Sequence, residues 1–301
     1  MNAPVPQILD LQFQGESRII AAFLLVADDG LILVETGPHA CFPALVEGLR
    51  RYGAAPTDIR HVLLTHIHLD HAGAAWALAR LGAKIYVHPS GLPHLLRPER
   101  LMQSATRIYG KDMDRLWGAM EPVPAESLLP VAHGQQLDLG RVNAQAWHTP
   151  GHAPHHIAWQ IGNSLFCGDV AGVRIDNGPV LPPCPPPSVD LEAWQDSISL
   201  LRKREADYLF LTHFGRFEAS AAHWDELEAN LERWAQWIQG MRRQGMHPRD
   251  MVPLFEQSVQ QQIEGTDVDR EISRRYALAN PAWMSVYGLD RYWRVREGIE
   301  G

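Results

Sequence analysis

Between Thr65 and His71 the chain reads Thr-His-Ile-His-Leu-Asp-His, which places three imidazoles and a carboxylate within six consecutive positions. Imidazole and carboxylate are common ligands for borderline metals such as zinc, and a ligating group must be unprotonated, so this density points to a metal cage. A polar loop whose histidines cap the next helix or bond to backbone carbonyls would explain a lone histidine. It does not explain HxHxDH. The flanks restrict the fold further: His61 to Thr65 is a short β-rich run, and Ala72 to Leu81 has helical character with Gly82 as its stop. The unit is strand, ligand-bearing loop, helix. His66 and His68 can point one way from an extended segment, while Asp70 and His71, at the turn into the helix, can point toward a second position. Two adjacent metals are therefore accommodated.

The rest of the chain supplies a framework of the same kind. After a short N-terminal strand, Ile19 to Val26 and Leu31 to Glu35 are apolar runs split by Asp28-Asp29-Gly30, a hairpin signal. A helix is expected through Ala44, Leu45, Leu49 and Tyr52, ending at Gly53. Lys84 to His88 reads as a strand and Gly91 to Trp117 as a largely helical insertion. Strands return between Gln136 and Trp147, from His156 to Ile161 and from Ser164 to Cys167, the last two joined by Gly162-Asn163. Pro179 to Pro187 contains six prolines and is expected to be a rigid surface loop. Asp190 to Arg204 is helical, and Tyr208 to Leu211 is the last strand expected. From Ala219 onward the pattern is helical, with Trp224, Leu227, Leu231, Trp234, Ile238 and Met241 on one face. That stripe reads as packed core, with a dimer seam as the alternative.

The 301 residues, 46% hydrophobic and 21% charged, have ordinary globular composition. Cys41, Cys167 and Cys184 are odd in number and without CxxC spacing, which fits a reducing cytoplasm rather than a disulfide framework. The opening MNAPVPQILDLQF lacks the pattern of a signal peptide, and no apolar run is long enough to span a membrane. Twenty-seven Lys and Arg against 35 Asp and Glu give a net charge of −8, the wrong sign for neutralising phosphates. No nucleic-acid or membrane partner is expected.

A metal pair needs ligands from elsewhere, and three candidates stand where predicted strands become loops: His152 in His148-Thr149-Pro150-Gly151-His152, Asp169 in Cys167-Gly168-Asp169, and His213 in Leu211-Thr212-His213-Phe214-Gly215. Strand ends on one sheet edge can converge distant residues on one site. With these motifs in order, the chain from about residue 8 to about residue 216 resembles the metallo-β-lactamase superfamily, the αββα hydrolase fold that includes glyoxalase II, acyl-homoserine lactonases and ribonuclease Z. The combination of ETGP, LLTHIHLDHAG, HTPGHAPHH and LLTHFG is most similar to a glyoxalase II-like branch of prokaryotic hydrolases.

The resemblance implies an α/β sandwich of two mixed sheets flanked by helices over residues 1–216, with a C-terminal helical extension over 217–301 packed on it. It implies that His66, His68 and His152 bind a first metal, that Asp70, His71 and His213 bind a second, and that Asp169 bridges them. The expected cofactors are two divalent ions per chain, zinc first, with iron and manganese also suited to these donors. A water shared by two such ions is acidified toward hydroxide, the nucleophile, and by the resemblance Asp70 is the catalytic residue that orients it and exchanges a proton.

Two positions depart from the family pattern. Glu35 stands where the family usually has Asp, and a role in orienting a ligating histidine is expected of it. Ala153-Pro154-His155-His156 replaces the usual small pair and Gly of glyoxalase II, so no glutathione-binding residue carries over. His148 is expected to bond backbone or a neighbouring ligand, His155 or His156 is a candidate supporting group, none of the three is counted as a ligand, and His88, His94, His133, His223 and His247 are expected on the surface or satisfied in the core. Cys167 reads as a small buried filler. The expected reaction is hydrolysis of a small-molecule thioester, ester or lactone. The insertion over 91–117 and the proline segment are candidate pocket walls, and Tyr109 a candidate hydrogen-bond donor. The alternative is a mononuclear iron enzyme resembling persulfide dioxygenases, which the ligand types alone do not separate from the hydrolase. The C-terminal helices, with Trp283, Tyr287, Tyr292 and Trp293, either cover the site's mouth or form a homodimer surface.

Overall fold

A computed structural model describes residues 5–266 and 270–299. The extreme ends of the two expected units, residues 1–4 and 300–301, lie outside the described residues. Strands β1 (Gln7–Asp10), β2 (Ala21–Val26) and β3 (Leu31–Val34) form an antiparallel meander, and the β2–β3 turn closes with the Ala27 N–H donating to the Gly30 carbonyl at 2.9 Å. After α1 (Phe42–Arg51) comes β4 (Ile59–Leu63), then α2 (Leu69–Ala72) and α3 (Ala75–Arg80), then β5 (Lys84–Val87). The insertion folds as α4 (Leu92–Leu96), α5 (Glu99–Tyr109) and α6 (Met113–Leu116), and β6 (Leu128–Pro130) completes a six-stranded sheet in the order β1-β2-β3-β4-β5-β6.

The second sheet holds β7 (Gln136–Leu139), β8 (Val142–His148), β9 (Ile157–Ile161) and β10 (Ser164–Gly168); then, after α7 (Leu191–Arg202), β11 (Tyr208–Leu211) and β12 (Gly215–Glu218). Its order is β12-β11-β10-β9-β8-β7, with β10 and β11 parallel and the other pairs antiparallel. Helices α8 (Ala221–Arg243), α9 (Pro248–Glu264), α10 (Arg270–Ala279) and α11 (Ala282–Arg296) follow. The architecture is thus the expected α/β sandwich of two mixed sheets with C-terminal helices. The boundary expected at residue 216 falls inside β12, the sheet's last strand.

The run Ala21–Leu25 is buried throughout because the first sheet is covered on both faces, which is why it lacks alternation. Phe23 points at the second sheet, where its ring meets Phe166 (5.4 Å between centroids) and Phe210 (5.3 Å) edge-on. Ala22 and Leu24 face the other way, into a cluster with Leu45, Leu49 and Leu78 of α1 and α3. Backbone bonds from Ala21 N to Thr212 O (2.8 Å) and from Ile157 N to Thr65 O (2.7 Å) tie the two sheets together at the edge where β4 and β11 end.

Several elements differ from expectation. The strand expected over 61–65 lies over 59–63. The helix expected from Ala72 begins at Leu69 and breaks after Ala72, so Asp70 and His71 sit on a short helix of their own. Strands β6 and β12 were not expected: the first is three residues ending in proline, the second an edge strand reading Gly-Arg-Phe-Glu. Both patterns are too short or too polar to signal a strand, and both are held by pairing to β5 and β11.

The proline segment is the larger correction. Residues Pro179–Pro185 are buried, not a surface loop, because the C-terminal helices cover them. Tyr276 donates to the Pro179 carbonyl at 2.6 Å, Asn280 to the Pro182 carbonyl at 3.3 Å, and the Cys184 N–H donates to Ser285 Oγ at 3.3 Å. Proline leaves few backbone N–H groups to satisfy there, which is what makes burial of an irregular segment tolerable. The stripe Trp224, Leu227, Leu231, Trp234 and Ile238 is buried in the same core as the second sheet, with Met241 at its margin.

Candidate metal centre

The site is assembled at one edge of the sandwich from strand C-terminal ends. Glu35 follows β3, the residues from Thr65 follow β4, His152 lies in the loop after β8, Asp169 follows β10, and His213 lies between β11 and β12. A glycine allows the close approach. Gly168 has φ 48°, and a Cβ there would land on Thr65 Oγ1 and within 2.8 Å of His156 Nε2, so only glycine lets β10 turn Asp169 into the cluster. The His213–Phe214 peptide is cis.

All seven expected ligands meet. His66, His68 and His152 form one group, His66, His71 and Asp169 a second, and Asp70, His71 and His213 a third; within each group one potential ligand atom per residue lies within 4.8 Å of the others. His66 Nε2 and His152 Nε2 are 2.9 and 3.0 Å from His68 Nδ1. Asp169 stands between the groups, with Oδ2 3.3 Å from His152 Nε2 and Oδ1 3.4 Å from His71 Nε2 and 3.5 Å from His213 Nε2. Asp70 Oδ2 is 3.6 Å from His71 Nε2 and 3.5 Å from His213 Nε2.

The outer nitrogens are pinned. The Nδ1–H of His152 donates to the Pro183 carbonyl and that of His213 to the Ile19 carbonyl, each at 2.8 Å. His71 Nδ1 lies 3.0 Å from Glu35 Oε1, and His66 Nδ1 3.0 Å from Thr65 Oγ1, whose hydroxyl in turn donates to Glu35. Oxygen partners on Nδ1 set the tautomer that leaves the Nε2 lone pair facing inward. Glu35, fully buried, thus takes the orienting role expected of it, and its longer side chain also reaches Thr212 Oγ1 at 3.4 Å. His156 holds Asp169 from behind: its Nδ1 is 2.8 Å from Thr149 Oγ1, and its Nε2 accepts the Asp169 backbone N–H at 3.3 Å. Thr65, Thr149 and the carbonyls of Ile19 and Pro183 were not foreseen as parts of the site, since a backbone carbonyl has no residue signature.

Burial, with the neighbouring imidazoles, drives the pKa of His66 well below 6.5 and that of His68 to about 3, and burial lowers His152 as well. Burial alone would raise the Asp70 carboxyl, but His71 and His213 outweigh it and hold it at about 2; Asp169 is likewise held well below the usual carboxylate range by His71, His152 and His213. Against burial, the surrounding carboxylates raise His71 and His213. The ionised carboxylates of Asp70 and Asp169 converge with imidazole nitrogens, a donor set that suits cations. Within the cluster, His71 Nε2 and Asp169 Oδ1 are buried 3.4 Å apart and neither makes a well-aligned hydrogen bond. Nitrogens 2.0–2.1 Å from one tetrahedral ion lie about 3.3 Å apart, close to the spacings of the His66–His68–His152 group. The residues present fit divalent metal.

The remaining histidines stay outside the cluster. His148 donates to the Val131 carbonyl at 2.8 Å and lies tilted against the His88 ring (4.0 Å between centroids), and His223 donates to the Ala171 carbonyl at 2.9 Å deep in the core. His155 approaches the His66 and His68 rings at 6.2 and 5.7 Å without joining a ligand group. Cys167 is buried with its thiol pKa pushed up, the filler expected.

A cavity of about 200 Å³ opens onto the cluster, and His68, Asp70, His152, Asp169, His213 and Tyr109 are its ionisable lining. The insertion contributes Leu101, Tyr109 and Trp117, and the proline segment Pro183 and Pro185, as expected of both. The corner between α10 and α11 adds Leu278, Asn280 and Met284, so the C-terminal helices do reach the mouth. Tyr109 lies 3.7 Å from Met284 Sδ and packs against Trp283, whereas Tyr292 and Trp293 tie α11 to Glu192 of α7 and Ala235 of α8.

Comparison with known proteins bears on the fold and the family. The chain is 33% identical over 144 residues to metallo-beta-lactamase fold-containing protein ST1585 of Sulfurisphaera tokodaii (46% of this chain, 54% of that protein), and 31% identical over 121 residues to a hydroxyacylglutathione hydrolase of Aeromonas hydrophila (40% and 37%). It therefore spans about half the length, or less, of these curated relatives. The crystal structure of a metallo-beta-lactamase family protein from Thermus thermophilus superposes with a TM-score of 0.64 at 19% identity, covering 99% of this chain and 94% of that one, and shares its fold. The sequence profile of the metallo-beta-lactamase superfamily matches residues 17–213, from just before β2 to His213 itself. On that span and this architecture, the chain belongs to the metallo-beta-lactamase superfamily.

Proposed function

We propose that this protein is a metal-dependent hydrolase with a binuclear centre, most similar in its motifs to the glyoxalase II-like branch, that cleaves a small-molecule thioester, ester or lactone. The observation that carries the reading is the convergence of seven imidazole and carboxylate side chains beside a pocket, with His71 Nε2 and Asp169 Oδ1 at its centre making no well-aligned hydrogen bond. His66, His68 and His152 would hold one ion, Asp70, His71 and His213 the other, with Asp169 between them; nitrogen and carboxylate donors suit zinc. The chemistry such a pair supplies is a water acidified toward neutrality and a polarised scissile carbonyl.

The chain's own residues do the rest. Depressed pKa values keep His66, His68 and His152 neutral, the form that ligates. Asp70 stays ionised and faces the pocket with a fifth of its side chain exposed, the one ligand carboxylate placed to take and return a proton. Burial raises the Tyr109 pKa, so its hydroxyl keeps the proton and is available to donate to a substrate oxygen. The net charge of −8 and the small pocket of about 200 Å³ favour a small molecule over a nucleic acid. All three cysteines are free and buried, which accords with a reducing compartment, and among the described residues no helix is long and apolar enough to cross a membrane.

Elemental analysis of protein purified without added metal, paired with hydrolysis of a thioester, lactone and ester panel, tests the proposal. About two zinc ions per chain and turnover lost in both His66→Ala and Asp169→Ala are expected. About one iron per chain with no hydrolysis would replace this reading by the mononuclear oxidative one.

A further inference from the structure

We infer that the site selects uncharged carbonyl compounds carrying an apolar acyl group, and that the wall made by α5, the proline segment and the α10–α11 corner is what selects them. The inference rests on the hydrolase reading above and extends it to a substrate class. Every ionisable group lining the cavity, Tyr109 apart, belongs to the ligand cluster; beyond it, among the described residues, the lining contains no Lys and no Arg. The wall is instead hydrocarbon, aromatic ring and proline, with Leu101, Ile108, Trp117, Leu278 and Met284 facing the space.

The neutral polar groups in the lining, Gln14, Ser104, Tyr109, Trp117 and Asn280, offer no full charge, and two of them are committed elsewhere. Asn280 Nδ2 donates to the Pro182 carbonyl at 3.3 Å, and Gln14 Oε1 accepts from Arg115 at 2.6 Å. Arg115, outside the lining, is itself paired with Asp112 at 3.1 Å and so already has its counter-charge. A substrate group bearing a charge would lose its water against this wall and gain no counter-charge there, a cost of several kcal/mol in general. An acylglutathione, the compound in the name of one relative, bears such charges. An apolar acyl group would instead gain by displacing water from the same surface. An apolar cavity of about 150 Å³ holds one benzene, so the space of about 200 Å³ next to the cluster accommodates an acyl group of about six to eight carbons.

The test uses the metal-loaded full chain and three p-nitrophenyl esters: acetyl, hexanoyl, and mono-adipoyl, which has the hexanoyl length with a terminal carboxylate. We expect kcat/KM to rise at least about 20-fold from acetyl to hexanoyl and to fall at least about 20-fold from hexanoyl to adipoyl. Equal values across the three overturn the inference. Met284→Arg places a cation on the wall and should raise the adipoyl-to-hexanoyl ratio at least about tenfold; Leu101→Arg serves if that variant does not fold, and an unchanged ratio in a folded variant rejects the wall assignment. Calorimetric binding of hexanamide and 6-aminohexanamide separates this inference from the reading beneath it. If no ester is cleaved in a His66-dependent manner, the hydrolase reading fails; hexanamide binding at least about tenfold more tightly than its charged analogue then still supports the selectivity, and equal binding overturns it.

Discussion

Glu35 sits in the left-handed backbone region (φ 67°), fully buried, and its carboxylate receives the Thr65 hydroxyl and the His71 Nδ1–H. A non-glycine residue there is strained, and the structure holds it because two elements converge on its side chain. Glu35→Gln keeps the shape and removes the charge that orients His71. It should weaken metal binding about 10- to 100-fold, as loss of an outer partner of a ligating histidine commonly does; titration against a chromophoric chelator measures this, and an unchanged affinity would show Glu35 to be a turn residue only. Gly168→Ala should cost at least about 2 kcal/mol in urea unfolding, since the new methyl meets Thr65 and His156 at positive φ. At this scale the ligand set was fully legible, because HxHxDH and three histidine- or aspartate-bearing strand ends name side chains. The carbonyls of Ile19 and Pro183 that fix two of those imidazoles were not, because any residue supplies a carbonyl.

Among the elements, the C-terminal helices decide how the pocket is closed. Gly288 of α11 packs so closely on the proline segment that a Cβ would overlap the Cys184 carbonyl and come within 2.9 Å of the Pro185 carbonyl carbon. Gly288→Ala must therefore lift α11 from that segment, and with it the Met284 contact to Tyr109. The expected result is a loss of about 1–3 kcal/mol, as for other overpacked positions, together with a raised KM for the hexanoyl ester; a variant with wild-type stability and KM would mean that this contact does not shape the mouth. Periodicity located α1, α7 and α8 and the paired strands β2, β3, β9 and β10 because each is long or carries a turn signal. It missed β6 and β12, which exist only through partners, and it misplaced the proline segment. Nothing in nine proline-rich residues shows that Tyr276, Asn280 and Ser285, about a hundred positions later, will cover them.

Over the whole molecule, the number of buried histidines sets how stability responds to pH. His223 lies in the core between the second sheet and α8, where burial, together with Arg174, lowers its pKa to about 4 even though it donates to the Ala171 carbonyl. Its ordinary value is 6.5, so between pH 6.5 and 4 the unfolded chain carries a proton at this residue that the folded chain does not. Stability then rises with pH across that window, and lowering the pH through it removes up to about 1.4 kcal/mol per pH unit for this one histidine. Above pH 6.5 the contribution is constant. His88, also held at about 4 by burial, has the same sign, whereas His71 and His213, raised by their carboxylates, have the opposite one. The net profile mixes these, so the comparison must isolate one. Urea unfolding of the chelator-treated protein from pH 7 to 4.5, beside His223→Gln, does so, because the cluster contributes equally to both. The variant should show a slope smaller by about one proton, or 1.4 kcal/mol per pH unit; equal slopes would mean that His223 protonates within the folded core and that the packing between α8 and the second sheet yields to admit the charge.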